Sequence, residues 1–219
     1  SDSIGVGGQV VRNDVRSDVR AYLDQVDLTA GGDVSLTALE QAQLQARIDS
    51  VVSSSGGSAF GEGTSLAVNG TIATNLVQAQ AQAFVTNGSV TTTGGGDLSL
   101  DARNTSAVDA SINSSTSTGD TAVGVTLAFN TLGYASQNIL FATLDALLGT
   151  DIGDEQPSQA LAYIEDSNLA LAGDLNLTAH NDARLNATVS NAAESAASAL
   201  FGATGMATSG LLTSNMLSS

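Results

Sequence analysis

Apolar and polar residues alternate along most of this chain, in blocks that restart in the same phase. Val34, Leu36 and Ala38 stand two residues apart; Leu98, Leu100 and Ala102 repeat the spacing, and Leu175, Leu177 and Ala179 repeat it again. Farther along, Leu44/Ala46/Ile48 recur as Val108/Ala110/Ile112 and as Leu185/Ala187/Val189. A period of two places alternate side chains on one face, the signature of a strand with one buried side. Between the blocks lie Gly-Asp, Asn-Asp and Asn-Gly pairs, which are turn chemistry. The expected class is therefore all-β, with short strands and tight turns.

The repeats extend beyond the apolar positions. Segments 21–48, 83–112 and 162–189 each open with Ala and an aromatic residue (Tyr22, Phe84, Tyr163) and each reach a Gly-Asp at Asp33, Asp97 and Asp174. Asparagine is a second landmark, with LAVN ending at Asn69, LAFN at Asn130, and weaker matches at Asn13 and Asn215. From that Asn to the next Ala-aromatic pair the interval is 8 residues after Asn13, 14 after Asn69 and 32 after Asn130. A constant block with a tolerant connection is the behaviour of stacked repeats. The reading is one segment, 1–219, with approximate repeats 13–68, 69–129 and 130–214. A β-sandwich explains the strands but not the uniform small interior residues or the constant phase. A parallel β-solenoid, in which each coil stacks its inward residues on those of the next, explains both.

The longest connection has a pattern of its own. Ile139, Leu140, Phe141, Leu144, Leu147 and Leu148 fall at helical spacing, with Gly149 as a stop. A short helix near 138–149 is expected on the solenoid wall, and its apolar residues are candidates for self-association. The Ala-, Ser- and Gly-rich stretch 192–219 reads equally as strand or helix.

Composition narrows the function. The 219 residues include 22 acidic and 6 basic residues, a net charge of −16; every basic residue is Arg, Cys is absent, and His180 is the one His. Thiolate chemistry, Cys/His zinc sites and a P-loop Lys are excluded, and an acidic surface does not suit nucleic acid. Aromatics at 4% against 42% hydrophobic residues demand a core of Ala, Val, Leu and Ile. Apolar runs are broken too early for a spanning helix. The opening at Ser1, with no Met and no charged-then-apolar leader, reads as a processed product or an excerpt. Asp33, Asp97 and Asp174 are first read as turn residues that bond their own backbone; with Asp151, Asp154 and Glu155 they are also the residues a Ca²⁺ ion would take. Catalytic residues and cofactors are not expected. A rival reading, a carbohydrate-processing β-helix, needs two converging carboxylates, and with 22 acids in the chain pairing alone is not informative. His180 follows Ala179 where Arg103 and Leu39 or Glu40 stand in the other copies, and reads as an exposed turn residue.

The segment AYIEDSNLALAGDLNLTAHNDARLNATV, with Gly/Ala-rich runs such as AVGVTLAFN, resembles the repeats of giant bacterial filamentous adhesins, the leukotoxin-type and filamentous-haemagglutinin-like surface proteins. That resemblance implies a right-handed parallel β-helix on the bacterial cell surface, forming an elongated rod for adhesion or matrix building. The partners it implies are further repeats or other copies of the chain, and host or matrix ligands. It carries over no catalytic residues.

Overall fold

The computed structural model describes residues 2–55, 64–133, 158–196 and 205–217, which form fourteen strands and, among the described residues, no helix. The helix expected near 138–149 lies outside the described residues, as do Asp151, Asp154 and Glu155. Strands β1 (Ser3–Asp24), β2 (Asp27–Ala30), β3 (Val34–Glu40) and β4 (Gln43–Ser54) make a first circuit. A second consists of β5 (Ser65–Thr86), β6 (Ser89–Thr92), β7 (Leu98–Asn104) and β8 (Ala107–Thr118). The third runs through β9 (Thr121–Leu132), β10 (Gln159–Glu165), β11 (Asn168–Ala170), β12 (Leu175–Asn181) and β13 (Arg184–Ser195), and β14 (Met206–Leu217) follows.

Each circuit contributes to the same four sheets in the same order. Sheet A is β1-β5-β9-β14 with β10 also beside β5; sheet B is β2-β6-β11, sheet C is β3-β7-β12 and sheet D is β4-β8-β13. All of these pairings are parallel. The arrangement is compatible with a β-solenoid. In register, Val34, Leu98 and Leu175 are partners, as are Leu36, Leu100 and Leu177, so the apolar blocks align as their phase requires. Residues 192–195 belong to β13 and 206–217 to β14, which resolves those parts of the ambiguous stretch as strand.

One alignment changes. Asn13 pairs not with Asn69 but with Asn75, which pairs with Asn130, and that with Asn215. Asn69 lies on the same inward face six residues earlier, opposite Gly7 and Gly124. Its side chain bonds Ser50, Ser114 and the Ser115 carbonyl instead.

The core lies between the sheets and is made of small side chains. Ala81, Ala83, Val85, Val90, Leu98, Leu100 and Ala102 of the second circuit are all fully buried, with Val34 and Leu36 of the first packed against them. The space is narrow: a Cβ at Gly7 would stand 2.2 Å from Val52 Cγ2, and one at Gly124 would stand 2.8 Å from Asn191 Oδ1. Aromatic rings have no room there. Through the interior runs a polar column in which Asn13 Nδ2 donates to Asn75 Oδ1 at 2.8 Å, Asn75 to Asn130 at 2.7 Å and Asn130 to Asn215 at 2.9 Å. A primary amide carries donor and acceptor on one group, so identical residues stacked in parallel register satisfy each other without adding charge.

Candidate functional site

The Gly-Asp turns form a column at the entry to sheet C. Asp33 Oδ1 accepts the backbone N–H of Asp97 at 2.9 Å, and Asp97 Oδ1 accepts that of Asp174 at 2.7 Å. Each carboxylate thus points to the next circuit and holds the turn above it. The preceding glycines make this approach possible: a Cβ at Gly96 would meet the Gly32 carbonyl oxygen at 2.3 Å, and one at Gly173 would meet Asp97 Oδ1 at 2.1 Å. These charge-assisted bonds to backbone give Asp33 and Asp97 a structural role at the turns. Among the described residues no three His, Cys, Asp or Glu side chains converge to hold a metal ion.

The Ala-aromatic landmark lies on the outer face of sheet A. Tyr22, Phe84 and Tyr163 are register partners and stack face to face at 5.1 and 5.0 Å between ring centroids. Strands about 4.8 Å apart impose that separation on any outward ring column. Just beyond, Gln25, Asn87 and Asp166 hold the same left-handed turn, with φ of 55°, 54° and 45°. Side-chain bonds link successive turns here too: Asp24 accepts from Thr86 and Asn87, and Asp27 from Ser89.

Every Arg forms an ion pair with an Asp two residues away on its own chain. Arg12 and Arg16 share Asp14 at 3.5 and 3.1 Å, Arg20 takes Asp18, Arg47 takes Asp49 at 2.8 Å, Arg103 takes Asp101 at 2.9 Å and Arg184 takes Asp182 at 2.8 Å. Residues two apart in a strand share a face, so the motif R-x-D or D-x-R is enough to build the pair. The Arg47 hydrogen bond holds the Asp49 carboxyl below the usual aspartate range, and Arg184 does the same to Asp182. These pairs were legible as charges at spacing two, and the reading from composition passed over them. His180 is exposed and in register with Arg103 and Leu39.

Two further features were not anticipated. Glu40 is buried and in register with the interior amides Asn104 and Asn181, where it accepts a hydrogen bond from Ser17 Oγ. Asn104 donates to the Ala79 carbonyl at 2.9 Å and to Ser158 Oγ at 2.8 Å. The outward side chains Thr74, Leu76, Gln78, Phe129 and Thr131 are also buried, so β5 and β9 are covered on both faces there, while β1 beside them stays open.

What the described residues bring together is thus a set of columns that join one circuit to the next. Comparison of the chain with protein-family models, curated proteins and solved structures gives no match. Among the described residues no helix is long and apolar enough to cross a membrane.

Proposed function

We propose that the chain is a right-handed parallel β-helix serving as a structural and adhesive segment of a filamentous bacterial surface protein, with no catalytic role. The observation that carries this reading is the use made of the recurring residues. Asp33, Asp97, Asn13, Asn75, Asn130 and the Tyr22–Phe84–Tyr163 column all bond or stack between circuits. A sequence whose repeated polar residues serve to extend the stack suits an elongated rod that presents surface along its length. Surface exposure belongs to the same proposal, supported by the absence of Cys and by the acidic, Ser/Thr/Asn-rich composition.

The experiment is export of the chain behind a secretion signal in a bacterium stripped of its own adhesins. Protease shaving reports surface display, and retention of the cells on matrix-coated and bare surfaces reports adhesion. Retention at least several-fold above the empty vector is expected, with no release of reducing sugar from a polysaccharide panel. Sugar release, or display without any gain in retention, would overturn the reading.

A further inference from the structure

The outer face of sheet A changes character part-way along its strands. From Arg12 onward β1 presents Arg12, Asp14, Arg16, Asp18 and Arg20 outward. Before Arg12 the outward positions of β1 and its register partners in β5, β9 and β14 carry no charged side chain at all. Apart from Thr121, Thr208, Met206 and the glycines they are aliphatic, and the outermost are open to solvent: Val6 is 75% exposed and Val10 67%. In a chain of net charge −16, an uncharged apolar face several strands wide is an interaction surface.

Its relief is specific. Gly8 and Gly70 are register partners, with Val125 and then Gly210 continuing the row across the sheet. A Cβ at Gly70 or Gly210 would meet nothing within 4 Å, so packing within the chain does not require glycine there. The row is instead a valley interrupted at Val125, and over Gly8 and Gly70 it forms a groove of about 190 Å³ bounded by Val10, Ile72, Val125 and Leu127. Beside it stands the ridge Val10–Ile72–Leu127–Leu212.

We propose that this face binds a second copy of the chain, sheet A against sheet A, about a two-fold axis that runs along the stacking direction between the valley and the row Val6–Val68–Val123–Thr208 on its other side. Such an axis inverts the strands and lays that row of each copy against the valley of the other: Val6 over Gly8, Val68 over Gly70 and Thr208 over Gly210, with Val123 meeting Val125. The ridge Val10–Ile72–Leu127–Leu212 then meets Ile4, Leu66, Thr121 and Met206. The contact is isologous and therefore closes as a pair. Three arguments select a second copy. Two bodies of the same large charge approach with less repulsion through this uncharged half-sheet than through a charged face. The same axis sets Arg12 of each copy opposite Asp2 of the other, a complementary pair at the rim. The size also suffices: nine residues at about 3.3 Å by four strands at about 4.8 Å give roughly 570 Å² per copy. The total of about 1,100 Å² clears the approximate 1,000 Å² of a specific interface.

Analytical ultracentrifugation of the purified chain tests the pairing. A concentration-dependent dimer is expected, and Gly70→Glu, which has room for its Cβ, should raise its Kd at least tenfold while circular dichroism and Tm stay unchanged. Ile72→Glu on the ridge should do the same. Leu177→Glu, on the open edge of sheet C, should leave the dimer intact. A chain monomeric at 100 μM, or a dimer insensitive to both glutamates, overturns the proposal; loss of association in Leu177→Glu alone would assign it to end-to-end stacking instead.

Discussion

Leu100 and Leu177 are the same residue at the same register position of consecutive circuits, yet Leu100 is 0% exposed and Leu177 43% exposed. The chemistry is identical; what differs is that β7 lies between β3 and β12, whereas β12 is the outermost strand of sheet C. Burial here belongs to a position in the stack more than to a side chain. The same contrast holds for the amides: Asn75 has an amide partner on either side, whereas Asn13 and Asn215 stand at the ends of the column.

The largest effect should come from breaking this contrast directly. Leu100→Asp strands a charge between sheets and should cost roughly 4 kcal/mol or more, whereas Leu177→Asp, on the open edge, should cost about 1 kcal/mol. Denaturant unfolding of the two variants measures both; equal costs would mean that the circuits do not differ as described. Next in size is a glycine pair. Gly96→Ala forces a Cβ against the Gly32 carbonyl and should cost about 3 kcal/mol, while Gly31→Ala, with nothing within 4 Å, should be close to neutral. For the amide column, Asn75→Ala leaves the Asn13 donor and the Asn130 acceptor unpaired, a loss of about 2 kcal/mol. Asn13→Ala removes one bond at the end of the column and should cost about 1 kcal/mol.

The smallest effect concerns pH. Asp49 and Asp182 are held below their ordinary range by hydrogen bonds from Arg47 and Arg184. A carboxyl lowered in the folded state contributes stability above its unfolded value and loses it as pH falls through the folded one. Arg47→Gln and Arg184→Gln should therefore melt slightly below the parent at neutral pH and converge with it as pH falls below the ordinary aspartate range and through the folded-state value of each carboxyl. Thermal melts across a pH series read the convergence, and a difference that persists in acid would place the contribution elsewhere.

Much of this architecture was legible because parallel register aligns like with like. Val34/Leu98/Leu175, Tyr22/Phe84/Tyr163 and Asp33/Asp97/Asp174 match in sequence and turn out to be partners in space or neighbours in the column. Asn69 misled for a physical reason: it shares the inward face with Asn75, and LAVN resembles LAFN more closely than the segment around the true partner does. The apolar half of sheet A escaped notice because Leu66-Ala67-Val68 is apolar on both faces, and alternation disappears where neither face is polar. The role of Asp97 was half read. Its turn chemistry was expected, but its bond to the next circuit depends on a neighbour 77 residues away, which no local pattern contains.

The central claim, parallel circuits in register, is tested most directly by engineered disulfides in a chain with no native Cys. Ser35 and Ser99 are outward register partners on adjacent strands, about 4.8 Å apart, within disulfide reach; Ser35 and Asn176 are two strands apart, about 9.6 Å, and beyond it. Mild oxidation of S35C/S99C should close a loop seen as faster migration on a non-reducing gel, confirmed by peptide mapping, and S35C/N176C should remain open. Closure of S35C/N176C in preference to S35C/S99C would contradict the order and register of the circuits.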